Sequence, residues 1–465
     1  MHVAIIGAGT AGLSIALTLQ SRNIPCTIYE SREAPFRGLG ALMLAPNALR
    51  ILDSLGLYTK LRSCGFNFST VKFRDEADSI TDTWQMGNQS RYGYDALRIT
   101  RAAFLDVLRA ALEERGIEVR YATRYSHVVS ETADGVTFQL VDGTQIETDF
   151  LIGADGVYSE VRKGFAPDVQ PLYSGTLALI ATIQHRFTDS DHPTHSPQTT
   201  MYYGRSKQET MLILPQEHDG SQASLGTLRE YPQQSREDWV HLSYDKDKLY
   251  DLFKQDTEAW PTRVQEALSQ INKSDIYLWP FQSLPDLESW TSLPHRRVIL
   301  VGDAAHSIPP TGGQGACQAI EDAYTLAMMI STITRANLPP ESFARSIGGW
   351  QAARQERIQK ARIFTKQIDN NRFPAEERAK LPAGTYWETG KHPDLRWLYG
   401  DGLANSAANG VSRVEIRKEA TARRGTVTRI RAATVDGTYG ILPQYMQNMQ
   451  RERSGTGESI VRGEC

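Results

Sequence analysis

Cysteine is scarce in this chain of 465 residues, and its four cysteines have no paired spacing. They are Cys26, Cys64, Cys317 and Cys465. The sequence therefore predicts neither a disulfide framework nor a zinc site, and we expect no bound metal. Reduced thiols are typical of a reducing compartment, so we predict a cytoplasmic location.

Long hydrophobic runs are also missing. No apolar stretch reaches the roughly 20 residues that a membrane helix needs, and the longest, around residues 320–333, contains Glu321 and Asp322. The N-terminus enters an apolar strand at once, without the basic segment of a secretory signal. We therefore expect a protein without a membrane span.

An excess of charge of one sign is absent as well. The chain has 51 Lys and Arg against 54 Asp and Glu, which gives a formal net charge of -3. Such a balance provides no general attraction to nucleic acid, so no nucleic-acid partner is expected. The hydrophobic content of 40% is sufficient for one or more complete cores. The composition thus indicates a globular protein, with length for about three domains.

The first informative segment is a glycine-rich turn between a predicted strand, residues 2–6, and a predicted helix, residues 10–22. Gly7, Gly9 and Gly12 have the spacing of a dinucleotide-binding turn, in which glycines permit a tight turn, close approach of a pyrophosphate and close packing of helix on strand. The pyrophosphate would lie at the helix N-terminus, where free N–H groups favour an anion. This segment predicts a dinucleotide ligand.

Two further residues belong to the same site. Glu30 ends the second predicted strand, residues 25–30, where a carboxylate can accept hydrogen bonds from ribose hydroxyls. Such a charge-assisted hydrogen bond contributes about 1.5–3 kcal/mol. Ala11, inside the turn, is predicted to lie against the same ligand. The βαβ pattern favours a parallel sheet but does not distinguish NAD from FAD.

Two later segments distinguish the two cofactors. Asp155 and Gly156 follow a predicted strand, residues 145–152. Asp303 follows the predicted strand 298–301 and Gly302, where a carboxylate can hold the ribityl hydroxyls of a flavin. A further helix then opens on small residues, and its N-terminus would face the flavin ring, since the helix dipole favours negative charge there. These small residues are Gly312, Gly313, Gly315 and Ala316.

Together the three segments resemble the class A flavoprotein monooxygenases, the group that includes salicylate hydroxylase, p-hydroxybenzoate hydroxylase and zeaxanthin epoxidase. Residues 302–322 resemble the Gly-Asp flavin motif of this family, and residues 155–162 resemble its Asp-Gly motif, which serves FAD and the transient nicotinamide. Arg101, at the end of Leu-Arg-Ile-Thr-Arg, matches the arginine of the family that contacts FAD. The resemblance covers roughly residues 1–372.

The resemblance implies an α/β fold like that of p-hydroxybenzoate hydroxylase. A Rossmann-type FAD-binding domain would be interleaved with a mixed-sheet substrate domain and followed by a C-terminal helix, predicted over 341–364. We predict residues 1–75, 95–174 and 278–335 for the FAD-binding domain, 76–94 and 175–277 for the substrate domain, 336–400 for a C-terminal helical segment, and 401–465 for a polar tail.

The implied activity is that of a monooxygenase that consumes NADPH or NADH together with O2. It would form a flavin C4a-hydroperoxide and hydroxylate or epoxidise an aromatic or polycyclic small molecule, indoles included, in secondary metabolism. A monomer or homodimer is expected. Pro309, Pro310 and Gly312 would border the reacting atoms. The implied cofactor contacts are Gly7, Gly9, Ala11, Gly12, Glu30, Arg101, Asp155, Gly156, Arg162, Gly302, Asp303, Gly312, Gly313, Gly315 and Ala316.

Departures from the family pattern leave the substrate open. Residues 279–282, Trp-Pro-Phe-Gln, stand where hydroxylases of the family often carry an Asp-Arg pair, which weighs against salicylate-type carboxylate recognition. Cys317 stands where many members have Asn, and this favours epoxidation slightly. Tyr202, Tyr203 and His218 are weak candidates for a catalytic base. A flavin reductase that inserts no oxygen and a FAD-carrying binding protein stay as alternatives.

Overall fold

The structure, a computed structural model, describes residues 1–35, 38–184, 197–204, 210–336, 339–373, 375–387 and 390–400. The predicted tail, 401–465, lies outside these residues. The strands within them are β1 (Val3–Ile6), β2 (Cys26–Tyr29), β3 (Ala41–Leu44), β4 (Phe66–Phe68), β5 (Thr70–Arg74), β6 (Ile80–Gln85), β7 (Ala96–Thr100), β8 (Glu118–Arg120), β9 (Tyr125–Glu131), β10 (Val136–Leu140), β11 (Gln145–Thr148), β12 (Phe150–Gly153), β13 (Leu172–Gln184), β14 (Thr199–Tyr203), β15 (Thr210–Pro215), β16 (Gln222–Glu230), β17 (Tyr277–Ser283) and β18 (Val298–Leu300). The helices are α1 (Thr10–Gln20), α2 (Pro46–Ser54), α3 (Tyr58–Ser63), α4 (Gln89–Tyr92), α5 (Arg101–Glu114), α6 (Glu160–Lys163), α7 (Arg236–Tyr244), α8 (Lys246–Lys254), α9 (Thr262–Ser269), α10 (Asp303–His306), α11 (Gly315–Arg335), α12 (Pro340–Asn371), α13 (Ala375–Arg378) and α14 (Arg396–Tyr399).

A parallel sheet of five strands, in the order β18-β12-β1-β2-β8, forms the first layer. Strand β1 is buried along its whole length, as expected of a central strand with both faces covered. Helix α1 connects β1 to β2, and every residue from Ala11 to Leu19 is buried. The predicted βαβ opening and parallel sheet are confirmed.

One predicted strand is wrong. Residues 145–152 were expected to form a single strand, but they divide at Asp149 into β11 and β12. Strand β11 pairs antiparallel with β10 in a separate three-stranded sheet, whereas β12 pairs parallel with β1 and β18. The hydrophobic pattern of residues 145–152 cannot reveal such a change of partner. Alternating burial, as in β11, and complete burial, as in β12, are both typical of strands.

The second large layer is a mixed sheet of seven strands, in the order β17-β13-β16-β15-β14-β5-β6. Only the β14–β5 pair is parallel among its described pairs. Helices α7, α8 and α9 pack on one face of this sheet around the buried side chains of Trp239, Leu249 and Phe253. Strands β5 and β17 belong to this sheet, although the predicted domain boundaries assigned residues 70–74 and most of 277–283 to the FAD-binding domain.

A three-stranded antiparallel sheet, in the order β3-β7-β4, completes the set of smaller sheets. Strand β7 leads directly into α5, whose N-terminus is capped by the Thr100 hydroxyl accepting from the Ala103 N–H at 3.2 Å. The predicted C-terminal helix is present as α12 and runs to Asn371, beyond the expected end at Phe364. Within the described ranges, no helix is long and apolar enough to cross a membrane.

Candidate active site

The three glycine-rich segments meet at the carboxyl ends of the adjacent parallel strands β18, β12 and β1. A Cβ atom on Gly7 would lie 2.7 Å from the carbonyl oxygen of Ala154, which joins the first segment to the second. A Cβ atom on Gly302 would lie 3.1 Å from the methyl of Ala11 and 3.2 Å from that of Ala319, which joins the first to the third. Ligands of open α/β sheets bind at this edge, so the tertiary structure brings the predicted motifs into one site.

The first turn has the shape that its glycines predicted. Gly7 has a positive φ of 103°, and a Cβ on Gly12 would collide with the carbonyl oxygen of Gly7. By contrast, the position of a Cβ on Gly9 is open, and α1 begins there without a side-chain cap. The buried Glu30 carboxylate accepts from the Ala8 N–H at 2.8 Å, which holds it beside the turn. Free N–H groups at an open helix N-terminus are suited to a pyrophosphate.

In the second segment, Asp155 has a carboxylate oxygen without a partner among the described residues, whereas Arg162 is fully buried. Asp155 Oδ2 accepts from the N–H groups of Glu160 and Val161, at 2.8 and 3.2 Å, while Oδ1 has no partner among the described residues. Burial raises the pKa of Asp155 and these hydrogen bonds partly offset that rise. Gly156 adopts a positive φ of 80° with open space around it. One carboxylate oxygen is thus free for a ligand.

The Arg162 side chain is completely buried, contrary to the expectation that it faces a cofactor. Its guanidinium donates to the carbonyl oxygens of Ala304 and Val157 at 3.0 and 2.7 Å. These bonds tie the second segment to the third. The sequence did not reveal this, because Ala304 lies far away along the chain, and Arg162 acts here as a positioning residue.

Asp303 and Arg101 are two charged residues predicted to contact the same ligand. Asp303 is exposed to solvent, although much protein lies around its carboxyl. This surrounding protein raises the pKa of the carboxyl, and the charges of His306 and Arg101 partly offset the rise. The Arg101 guanidinium lies 4.9 Å from the ring centre of Trp279, and its Nε has no partner within the described part of the chain. Burial lowers the pKa of Arg101 and Asp303 partly restores it. Opposite charges are therefore available for a polar ligand.

The loop before α11 borders the site from another side. Pro309 is half-buried, Pro310 is exposed and Gly312 is buried against Thr365 of α12. A Cβ on Gly313 would collide with the Met43 side chain of β3. Helix α11 then begins at Gly315 and the half-buried Ala316 without a side-chain cap. A second open helix N-terminus therefore reaches the cleft that the first one borders.

These observations fit FAD. The open position at Gly9 and the uncapped α1 suit the pyrophosphate, and the carboxylates of Glu30 and Asp303 suit the hydroxyls of its ribose and ribityl groups. The unpartnered Arg101 Nε and Asp155 Oδ1 are polar atoms whose burial is unfavourable without a ligand. The N-terminus of α11 is suited to the negative charge of a reduced flavin ring.

Comparison with known proteins agrees with a FAD site. The family model described as the FAD binding domain matches residues 1–341. The chain belongs to this FAD-binding family. It is 28% identical over 421 residues to the 3-amino-4-hydroxybenzoate 2-monooxygenase of Streptomyces platensis, covering 86% of this chain and 96% of that protein. It is 29% identical over 360 residues to a salicylate hydroxylase of Pseudomonas putida, covering 71% and 77%.

Solved structures support the same fold. The Klebsiella pneumoniae protein HpxO, in complex with FAD and uric acid, aligns with a TM-score of 0.67 at 21% identity, covering 88% of this chain and 97% of that one. CtdE, in complex with FAD and a substrate, aligns with a TM-score of 0.70 at 20% identity, covering 90% and 100%. The p-hydroxybenzoate hydroxylase-like fold and the class A flavoprotein monooxygenase resemblance are confirmed. The protein is a FAD-dependent monooxygenase of this family.

A buried ion network behind the flavin motif of the monooxygenase was missed from the sequence. Arg354 of α12 donates through Nε to Asp322 and through Nη1 to Glu321, both at 2.7 Å, and through Nη2 to the Gln318 side chain at 2.7 Å. Asp322 in turn accepts from the Gly302 N–H at 2.9 Å. Arg357 adds a second pair of hydrogen bonds to Glu321. The sequence signal for this network is the pair Arg354 and Arg357, three residues apart and therefore on one side of the long helix α12.

His306 belongs to this network rather than to the open cleft. Its ring is 1% exposed, and Nε2 contacts Asp322 Oδ2 at 2.5 Å. The ring also packs on Trp290 with a centroid distance of 5.1 Å.

The candidate catalytic residues outside the three motifs, and Cys317, differ in burial and in hydrogen-bond partners. Tyr202 is fully buried and donates to Asp78 at 2.9 Å, and His218 is exposed in a turn between β15 and β16. Tyr203 has a buried hydroxyl without a partner among the described residues. Cys317 is fully buried, and its thiol contacts the carbonyl oxygens of Met43 and Gly313 at 3.6 Å. Its placement gives no support to the slight preference for epoxidation.

Proposed function

We propose that this FAD-dependent monooxygenase uses NADPH or NADH and O2 to hydroxylate an aromatic small molecule. The overall reaction would convert substrate, O2, NAD(P)H and a proton into hydroxylated product, NAD(P)+ and water. FAD, when bound, would transfer the reducing equivalents of NAD(P)H to O2 and so activate it. The protein holds the cofactor, orients the substrate ring and excludes water.

The observation that carries this proposal is an aromatic cluster beside the flavin loop. Thr365 of α12 packs against Gly312, and the adjacent Phe364 stacks on Trp387 with a centroid distance of 6.1 Å. From Trp387 the cluster continues through Trp84, at 4.7 Å, to Phe73, at 4.3 Å. A buried aromatic cluster beside a predicted cofactor site is suited to a flat aromatic substrate.

Two polar groups of this cluster are available to a ligand. The Tyr203 ring lies 5.3 Å from that of Phe73, and its hydroxyl has no partner among the described residues. The indole N–H of Trp387 likewise has none there. Burial raises the pKa of Tyr203, so its hydroxyl stays protonated and can donate at neutral pH. A buried donor without a partner is unfavourable, which supports contact with a polar substituent on the substrate.

The substrates in the names of the relatives support the same class. The named relatives act on 3-amino-4-hydroxybenzoate, salicylate and urate. These are planar rings rich in electrons, and hydroxylation of such a ring is therefore the reaction that we favour over epoxidation. The cytoplasmic location and the monomeric or homodimeric state stay predictions.

The test is oxidation of NADPH and of NADH by the FAD-loaded enzyme, with and without single aromatic compounds under 18O2. We expect one class of aromatic compounds to accelerate NAD(P)H oxidation and to acquire one 18O atom per molecule. Accelerated oxidation without 18O in any organic product would instead support a reductase. Bound FAD that no nicotinamide reduces would support the FAD-carrying binding protein.

The Tyr203→Phe variant tests the site within this experiment. It keeps the ring and removes the unpartnered hydroxyl, so we expect the KM of the substrate to rise while FAD content stays unchanged. Tyr202→Phe is the matched control, since that hydroxyl already donates to Asp78 and faces the helical side of the sheet. Equal kinetic effects in the two variants would argue against a substrate contact at Tyr203.

A further inference from the structure

The side chain of Arg98 is half-buried, and its guanidinium has no acidic partner among the described residues. Arg98 lies at the centre of β7, and no hydrogen bond or ion pair joins its side chain to any residue that the structure describes. Burial lowers the pKa of Arg98 to about 10, so it stays charged at neutral pH. Partial burial of a cation without a partner is unfavourable. Such a group is normally retained for a ligand.

The neighbours of Arg98 place it in the flavin cleft. In the antiparallel β3-β7-β4 sheet, Arg98 lies directly opposite Met43, so their side chains share one face. Met43 in turn contacts the position of Gly313 in the flavin loop. The face that carries Arg98 therefore borders the segment that leads into α11.

A second unpartnered group lies next to this arginine. The Tyr277 hydroxyl of β17 is buried and has no hydrogen-bond partner within the described residues. It lies against Gly40, where a Cβ would be 2.5 Å away from it. The Gly40 carbonyl accepts from the Arg101 N–H at 2.7 Å, which places the Tyr277 hydroxyl beside the end of β7. Burial raises the pKa of Tyr277 to about 12, while the charges of Arg98 and Arg101 lower it. The hydroxyl therefore stays a donor at neutral pH.

The charged groups around the Tyr277 hydroxyl have a net positive charge. Arg98 and Arg101 contribute two cations, and the Asp303 carboxylate affects the pKa of Arg101 but is not among the groups that affect Arg98. Asp303 and Arg101 are already committed to the flavin by the motifs that contain them. The Arg98 guanidinium and the neutral Tyr277 hydroxyl remain, and together they are complementary to a carboxylate.

We propose that Arg98 and Tyr277 bind the anionic group of the substrate, so that the enzyme selects an aromatic acid over a neutral aromatic compound. This inference rests on the proposed function and names the substrate class of that site. It also reverses the sequence-based expectation from residues 279–282, since the missing Asp-Arg pair is replaced by an arginine of another strand. A charge-assisted hydrogen bond in such a site is worth about 1.5–3 kcal/mol, or roughly a ten- to hundredfold change in affinity.

The test is a titration of the FAD-loaded enzyme that follows the visible absorbance of the flavin. The probes are benzoate, salicylate and 3-amino-4-hydroxybenzoate, each paired with its neutral carboxamide. In the unaltered protein we expect at least one acid to bind roughly ten- to hundredfold more tightly than its amide. Binding of each acid and its amide with equal affinity, or of no acid at millimolar concentration, would overturn the proposal.

The Arg98→Met variant removes the charge but keeps a long side chain. We expect it to lose the preference for the acid and to bind the amide as before, with unchanged FAD content. Arg98→Lys should restore part of the preference, and Tyr277→Phe should lower it without abolishing it. Arg62→Met is the matched control, because Arg62 is exposed on α3. Equal weakening of acid and amide would overturn the proposal in favour of a structural role.

Stability and reduction kinetics separate the other sources of an anion. Arg98→Met should not lower the Tm, because it removes a half-buried charge that has no partner among the described residues. A loss of FAD would assign Arg98 to the cofactor, and a raised KM for NAD(P)H with unchanged acid binding would assign it to the nicotinamide phosphates; either result overturns the proposal. Acid selection that depends on Arg98, without 18O incorporation, would instead refute the proposed function and leave the anion site intact.

Discussion

Replacement of Arg354 by methionine should both destabilise the fold and loosen the flavin motif. The three nitrogens of this guanidinium serve three acceptors, Asp322, Glu321 and Gln318, and all of them are fully buried. The variant would leave two buried carboxylates without their shared cation. Because Asp322 also holds the Gly302 N–H, the disturbance reaches the turn that precedes Asp303.

The size of the effect follows from which partners are left. Removal of one partner from a buried ion pair costs about 3–5 kcal/mol of unfolding free energy. Glu321 keeps Arg357 and Asn47, and Asp322 keeps His306, so we expect the lower end of that range. Arg354→Lys should recover only part of the loss, since one ammonium cannot reproduce the planar fork of a guanidinium.

The same network predicts a dependence of stability on pH. Burial would raise the pKa of Asp322, but the charges of His306 and Arg354 and its hydrogen bonds outweigh burial and hold the pKa at about 2, below the usual 3.8. A carboxyl whose pKa is lower in the folded state stabilises the protein above pH 3.8 and loses this contribution as the pH falls through about 2. The contribution is about 2 kcal/mol. Arg354→Met removes one of these charges, so acid unfolding should begin at a higher pH.

Both effects can be measured by urea unfolding of the FAD-loaded protein, followed by tryptophan fluorescence. The range from about pH 2 to about pH 7 includes the folded and the ordinary pKa of Asp322. Lys360→Met is the matched control on the same helix, because its ion pair with Glu356 is exposed and should contribute at most about 0.5 kcal/mol. If Arg354→Met and Lys360→Met cost the same, or if the acid transition does not move, the reasoning from burial is refuted.

Four further outcomes follow from the site. Asp303→Ala should purify with much less FAD, and a full complement of flavin by absorbance would argue against its role. Gly12→Ala should destabilise the protein even without FAD, because its Cβ collides with the Gly7 carbonyl, whereas Gly9→Ala should fold normally and lose FAD affinity; calorimetry and flavin titration separate the two. Arg162→Leu should lower the Tm without a selective rise in the KM of NAD(P)H, and a selective rise would restore its predicted cofactor contact. Cys317 should resist alkylation by iodoacetamide in the folded protein, since burial raises the pKa of its thiol to about 12; rapid labelling seen by mass spectrometry would contradict its enclosure.

Local sequence patterns determined the cofactor and the chain order of its binding segments. Gly7, Gly9 and Gly12 are needed where a strand turns into a helix around a ligand, and that requirement is met within a few residues. The positions of Glu30 and Asp303 after apolar strands were equally readable, because the carboxyl ends of parallel strands lie at one edge of the sheet. The family, the parallel sheet and the enzyme class were therefore predictable from residues close together in the sequence.

The tertiary structure decided which side chains are available for chemistry. Arg162 and Cys317 look like site residues in the sequence, yet packing against segments more than a hundred residues away buries both of them. Arg98 and Tyr277 looked ordinary in the sequence, and only the tertiary structure shows that the Arg98 Nε and the Tyr277 hydroxyl are buried without partners among the described residues. The division of residues 145–152 between two sheets was hidden for the same reason. Burial and partner choice depend on contacts between distant segments, and a one-dimensional pattern does not contain them.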